Sequence, residues 1–245
     1  MKKLVLVTLL LASGFAKAQS PEYDDLAILY ADGNYDKLIR SAESYSQKDD
    51  AAKQALPFFW LGRGLYMMSL SGTDEEKYKN AYKEAINAIG KSIKNDKSHE
   101  VQDEYSKFYE EFKMSVVTRI QNDLGIEPAG DYKKASAWVL KYYKFDNTNI
   151  GAKFLEASCK FRNNDKGGAN TAWKDAETRL TALTSTGIDS WGEADAEMLK
   201  MGVIETAKCY VSMKQQEKAK TLLGKVKQWY EDDEDFMEEY NAIVN

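Results

Sequence analysis

The spacing of apolar residues is the feature that most limits what this chain can become. Apolar and small residues recur at steps of three and four, as in Phe154, Ala157, Ser158 and Phe161, and again in Val203, Thr206, Ala207 and Tyr210. That period keeps one stripe of an α-helix turned inward. The alternation of β-branched residues that a half-buried strand needs is nearly absent beyond the first 18 residues. Proline occurs only at Pro21, Pro57 and Pro128. The periodic runs are separated by short breaks: Asp32-Gly33-Asn34, Ser71-Gly72-Thr73-Asp74, Asp123-Leu124-Gly125, Asp146-Asn147-Thr148-Asn149, Asn163 to Gly168, and Thr184 to Gly187. Thr73 and Glu76 have the form of a capping box, and Pro57 suits a first helical turn. The expectation is an all-α chain of about ten helices. Their short connections force antiparallel neighbours.

The first 18 residues are a different object. Met1-Lys2-Lys3 precede an apolar run from Leu4 to Leu11, and Ala16-Lys17-Ala18 closes the segment. A positive start, a short apolar stretch and a small-x-small site make a cleavable signal peptide, with Gln19 as the expected mature N-terminus. The run falls well short of the roughly 20 apolar residues that span a bilayer. No later segment reaches that length, so the protein is not expected to be membrane-spanning. No cysteine stands at the cleavage point for a lipid anchor. Residues 19–245 are expected to form one continuous domain in the periplasm, with secretion or peripheral attachment to the outer membrane as alternatives.

Removing Lys2, Lys3 and Lys17 makes the formal net charge of −5 three units more negative. Averaged over the chain, such a surface argues against nucleic acid, whose phosphates require concentrated Lys and Arg. It argues equally against an anionic membrane surface. Cys159 and Cys209 are the two cysteines, too few for a disulfide scaffold in an oxidising compartment. A packed core must therefore carry the stability, and the chain is long enough to build one. Packed helices lie roughly 8–10 Å apart, whereas a disulfide needs Cα atoms within about 7 Å. Both cysteines are expected as small buried thiols.

A repeat emerges within the helical pattern. Residues 203–223 read Val203-x2-Thr206-Ala207-x2-Tyr210, then Ala219-x3-Leu223. A second copy reads Phe58-x2-Leu61-Gly62-x2-Leu65, then Ala85-x3-Ile89, with about eleven extra residues between its helices. A third reads Phe154-x2-Ala157-Ser158-x2-Phe161, with Ala169-x3-Trp173 following. Gly33-Asn34-Tyr35 and Gly130-Asp131-Tyr132 open two further second helices. Together these resemble the tetratricopeptide repeat. The first helices of the two partial copies depart from that family, as does a long helix expected from about Glu100 to Asn122.

The resemblance implies a right-handed solenoid of antiparallel helix hairpins, with Ala207 admitting a close partner, Tyr210 filling the space above it and Ala219 receiving the neighbouring helix. It also implies a concave groove, lined by the first helices, that takes an extended peptide or a partner helix. Carried over position by position, the partner-binding residues are Phe59, Arg63 and Tyr66; Leu155, Cys159 and Arg162; and Ile204, Lys208 and Val211. The family's carboxylate clamp of Lys and Asn is not matched there, so chaperone C-terminal tails are not implied.

Catalytic material is scarce. His99 is the one histidine and falls in the polar stretch after Asn95-Asp96-Lys97-Ser98, so a Ser-His-Asp triad has a single candidate base and zinc ligands are lacking. No phosphate loop, dinucleotide turn or nucleophile elbow is present. Gly167-Gly168 reads as a turn between helices. Glu231-Asp232-Asp233-Glu234-Asp235 lacks the spacing of a calcium loop and reads as the acidic start of a final helix, Glu234 to Val244. No catalytic residue, metal or cofactor is expected. The leading expectation is an exported scaffold or adaptor that binds envelope proteins, for instance as an accessory subunit of a secretion or motility complex. The alternatives are an all-helical carbohydrate-binding protein or glycan-active enzyme, using Asp/Glu pairs and surface tryptophans such as Trp138, Trp173 and Trp191, and a periplasmic chaperone.

Overall fold

The computed structural model describes residues 23–244, apart from 49–51, 73–74, 127–129 and 184–186. The leader segment, Pro21, Pro128 and the Thr73 cap lie outside the described residues. Among the described residues the chain is all-helical, with no strand. In order the helices are α1 (Asp24–Ala31), α2 (Tyr35–Ser46), α3 (Leu56–Leu70), α4 (Ala81–Asn95), α5 (Glu100–Glu104), α6 (Ser106–Leu124), α7 (Tyr132–Tyr142), α8 (Ile150–Arg162), α9 (Lys166–Leu183), α10 (Glu193–Ser212), α11 (Gln216–Val226) and α12 (Glu234–Val244).

These twelve exceed the expected ten or so. One reason is that the long helix expected from Glu100 breaks at Tyr105, where φ is −112° and ψ 26°. There the Tyr105 ring stacks on Phe59 with centroids 4.2 Å apart, so a tertiary contact overrides the local period. Gly167 and Gly168 also differ from expectation: they sit in the first turn of α9. Asp165 caps that helix, accepting the Gly168 N–H at 2.9 Å. A Cβ at Gly168 would overlap the same carboxylate, so glycine serves the cap. Pro57 lies in the first turn of α3, and the acidic run ends in α12, with the Asp233 carboxylate accepting the Phe236 N–H at 2.8 Å.

Three connections share one hydrogen-bonded turn. The N–H of Asn34 donates to the Leu29 carbonyl (3.0 Å), that of Asp165 to Lys160 (2.8 Å), and that of Gln215 to Tyr210 (2.9 Å). In each the preceding residue is left-handed: Gly33 (φ 70°), Asn164 (67°) and Lys214 (60°). This is the Schellman closure, which satisfies a helix's last carbonyls while reversing the chain. Asn34 then caps α2 through the Lys37 N–H, and Asp131, after left-handed Gly130, caps α7 through the Lys134 N–H.

Consecutive helices pack on one another from α1 to α4 and from α5 to α9, and α10 packs on α11. α9 lies antiparallel to α8, with Phe161 beside Trp173 (5.6 Å between centroids) and Arg179 donating to the Thr148 carbonyl (3.1 Å). α10 lies beside α8 and runs parallel to it: Gly151 abuts Met198 and Leu199, Gly202 abuts the Gly151 carbonyl, and Ser158 bonds Thr206 at 3.0 Å. Two hydrophobic cores result. One is rich in aromatic rings and fills the space among α1–α7 and the inner sides of α8 and α10. The other joins α8 through α12 around Phe154, Trp173, Val203 and Phe236. Each fully buried large apolar side chain contributes about 1.5–3 kcal/mol.

Candidate functional site

The expected groove positions fall into three situations. Phe59 and Leu155 have no exposed surface and Ile204 is 9% exposed. This corrects their assignment to a partner-facing surface: they are core residues, because the Tyr105 and Phe108 rings lie against Phe59 and the inner core covers Leu155. Cys159 is buried too, and burial first of all pushes its thiol up to about 12. Cys209 is likewise buried and unpaired. Lys208 is half-buried and held by Glu205 (3.5 Å) and Glu239 (2.5 Å). Arg162 lies over the Tyr132 ring at 5.4 Å, and Tyr132 donates to Glu205 at 2.9 Å. Val211 is exposed on α10.

These positions do not form one open surface, because α6 runs between them. On one side α6 places Phe108 and Phe112 against Tyr66 (6.2 and 4.9 Å). On the other, Lys113 and Gln121 bond Asp195 (2.8 Å) and Glu197 (2.7 Å) of α10.

Arg63 stands apart from the rest. Its guanidinium lies 3.9 Å from the Tyr30 ring centre, 5.2 Å from Phe108, 5.4 Å from Trp60 and 5.7 Å from Phe59. The Nε is buried without a hydrogen-bond partner, and among the described residues no carboxylate pairs with the group. Buried charge is normally matched by an opposite charge; here π-faces take that part, each contributing on the order of 0.5–2 kcal/mol. Tyr105 at the edge of the box is pushed up to about 12, chiefly by burial and then by its bond to Glu104. Tyr66 and Leu70 continue the α3 strip at helical spacing, and Leu70 is 59% exposed.

A second feature is a polar cavity of about 420 Å³ between α6, the start of α8 and the start of α10. Asp195 accepts from the Tyr142 hydroxyl (2.7 Å), the Asn149 amide (2.9 Å) and the Lys113 ammonium (2.8 Å). Glu110 lies over Gly192 and receives the Ala194 N–H at the α10 N-terminus (3.4 Å), where a carboxylate suits the helix dipole. Burial works to lower the Lys113 pKa, but Asp195 and Glu110 outweigh it and the net direction is up. Three donors on one carboxylate bind α6, α7, α8 and α10 together. Trp191 lines this cavity and is half-buried. No sequence signal pointed to this network beyond Asn149, which also caps α8 through the Ala152 N–H.

Of the expected surface tryptophans, Trp173 is a correction: it is buried, with its indole N–H bonded to Thr206 at 3.1 Å. Trp138 is half-buried. His99 is exposed, with φ 63°, at the start of α5. Among the described residues no three His, Cys, Asp or Glu side chains gather as metal ligands, and no helix is long and apolar enough to cross a membrane. Comparison of the chain with protein-family models and with curated proteins gave no match.

Proposed function

We propose that this protein is an exported, tetratricopeptide-like stack of helix hairpins that docks another protein in the cell envelope. The shared turn of α1–α2, α8–α9 and α10–α11, together with the parallel α8–α10 contact, supports the repeated-hairpin reading. A strict stack confines contacts to neighbouring units. Here the first turns of α10 also reach α6, so the proposed stack curls until its inner side closes at that end. The docking surface is then the α3 strip. The observation that carries it is Arg63: a cation walled by four aromatic rings, with no carboxylate pairing it among the described residues. Arginine and aromatic side chains dominate binding hot spots.

The test is a photoreactive amino acid at Leu70 in exporting cells, with a control at Thr178 on α9. A discrete crosslinked protein is expected from Leu70 alone, lost with Arg63→Gln in a variant that a thermal melt shows to be still folded. No crosslink, or equal yields from both positions, sinks the proposal. The cavity beside Trp191 favours a second reading, a glycan-binding protein. Saturable binding on a glycan array, abolished by Trp191→Ala, decides for it.

A further inference from the structure

One face of the molecule opposes the sign of its net charge. The α7 sequence, YKKASAWVLKY, holds no carboxylate. Lys133, Lys134, Ala137 and Leu140 are exposed, as is Lys144 just past the helix, while Trp138 and Lys141 are half-buried. At 3.6 residues per turn these positions share one side of the helix, opposite the buried Ala135, Val139 and Tyr142. Neighbouring helices extend the face. Arg119 of α6 lies 3.9 Å from the Tyr82 ring centre and 5.4 Å from Trp138, and the Lys141 ammonium lies 4.3 Å from Trp138.

Lys91 and Lys94 of α4 join Lys144 around a cavity of about 510 Å³. Lys144 donates to the Asn87 amide oxygen, and Gly90 lets α4 approach it, since a Cβ there would overlap the Lys144 side chain. Burial, then the like charges of Lys83 and Lys144, lowers the Lys141 pKa. Among the described residues no salt bridge is made by Lys83, Lys91, Lys94, Arg119, Lys133, Lys141 or Lys144; on this face only Lys134 is paired, to Asp131 at 3.0 Å. Of the other carboxylates here, Asp146 is occupied by the N–H and hydroxyl of Thr148, Asp123 of α6 acts on Lys134 with one oxygen buried, and Glu84 is exposed on α4.

We infer that this face rests on an anionic bilayer surface, its lysines meeting lipid phosphates while Leu140 enters the headgroup boundary. Six of the seven unpaired cations are lysines, which meet phosphate as point charges from any direction; a protein carboxylate is better matched by the arginine fork. Leu140, 57% exposed among these basic residues, adds apolar area at the headgroup boundary to their electrostatic attraction, and the two together set interfacial binding. The negative average charge of the chain does not oppose this, because charges more than about 10 Å away are screened at ordinary salt.

Co-sedimentation of the purified protein with phosphatidylglycerol-containing vesicles and with pure phosphatidylcholine vesicles tests the inference. Binding to the anionic vesicles alone is expected, falling as salt rises. Lys141→Gln and Lys144→Gln should each weaken it by about fivefold, and Leu140→Ser should weaken what persists at high salt. Lys166→Gln with Lys174→Gln on α9 should leave it unchanged, with thermal melts confirming that every variant is folded. Absence of binding to anionic vesicles, equal binding to neutral ones, or an equal loss in the α9 variant overturns the inference. So does binding to a polyaspartate peptide or heparin without binding to vesicles.

Discussion

Two places in the molecule hold their helices together by opposite means. Around α3 and α6 the spaces are filled by rings: Phe59, Tyr66, Phe108, Phe112 and Tyr105 touch in one continuous cluster. Between α8 and α10 there is almost nothing to fill, because Gly151 and Gly202 bring the backbones together and Ser158 and Thr206 bond across the seam. A ring-filled core fails when material is removed, and a glycine seam fails when material is added.

The largest expected effect tests the first half of that contrast. Phe112→Ala leaves a cavity in the aromatic core, and urea denaturation should show a loss of about 3–5 kcal/mol. Gly151→Ala, which adds one methyl, should cost about 3 kcal/mol in the same assay, because its Cβ meets the Leu199 nitrogen and the Met198 carbonyl and backbone cannot step aside. A cost below 1 kcal/mol would mean that the seam yields. Glu156 tests the join between the halves. It is held by Lys160 (2.6 Å), Lys153 (3.0 Å) and the Tyr143 hydroxyl (2.8 Å). Burial alone would raise its pKa, but these three partners outweigh it and the net direction is down. A lowered carboxylate stabilises the fold above its unfolded pKa of about 4.3, and that contribution is lost as pH falls below this value. Glu156→Gln should thus be less stable at pH 7 by about 1–2 kcal/mol, with a melting temperature that falls less than wild type between pH 5 and 3. The smallest effect has the opposite sign: Gly224, inside α11 with open space where a Cβ would go, should stabilise by about 0.5–1 kcal/mol when replaced by alanine.

Helices and joints were legible in the sequence to very different degrees. The three-four period marked the helical runs, and Gly33-Asn34-Tyr35 and Gly130-Asp131-Tyr132 announced their caps because a glycine and a capping side chain stand together. The break at Tyr105 was hidden, since it depends on the distant Phe59 ring. Arg63 was legible as a strip position, but its unpaired state was not, because pairing depends on which helices arrive around it. Phe59 and Leu155 were misplaced for a related reason: a helical wheel gives the face of a residue, not what lies over that face. The lysine face was concealed by averaging, since a net charge of −5 cannot report that α4, α6 and α7 gather their cations on one side.

The Schellman turn has a consequence for how its sequence is read. Its main-chain bond is donated by Asn34, Asp165 and Gln215, a role open to every residue except proline, and the left-handed place before it, which suits glycine best, is filled by Gly33, Asn164 and Lys214. A pattern keyed to glycine would recognise one joint of the three. Joints that bend alike can therefore differ in their letters.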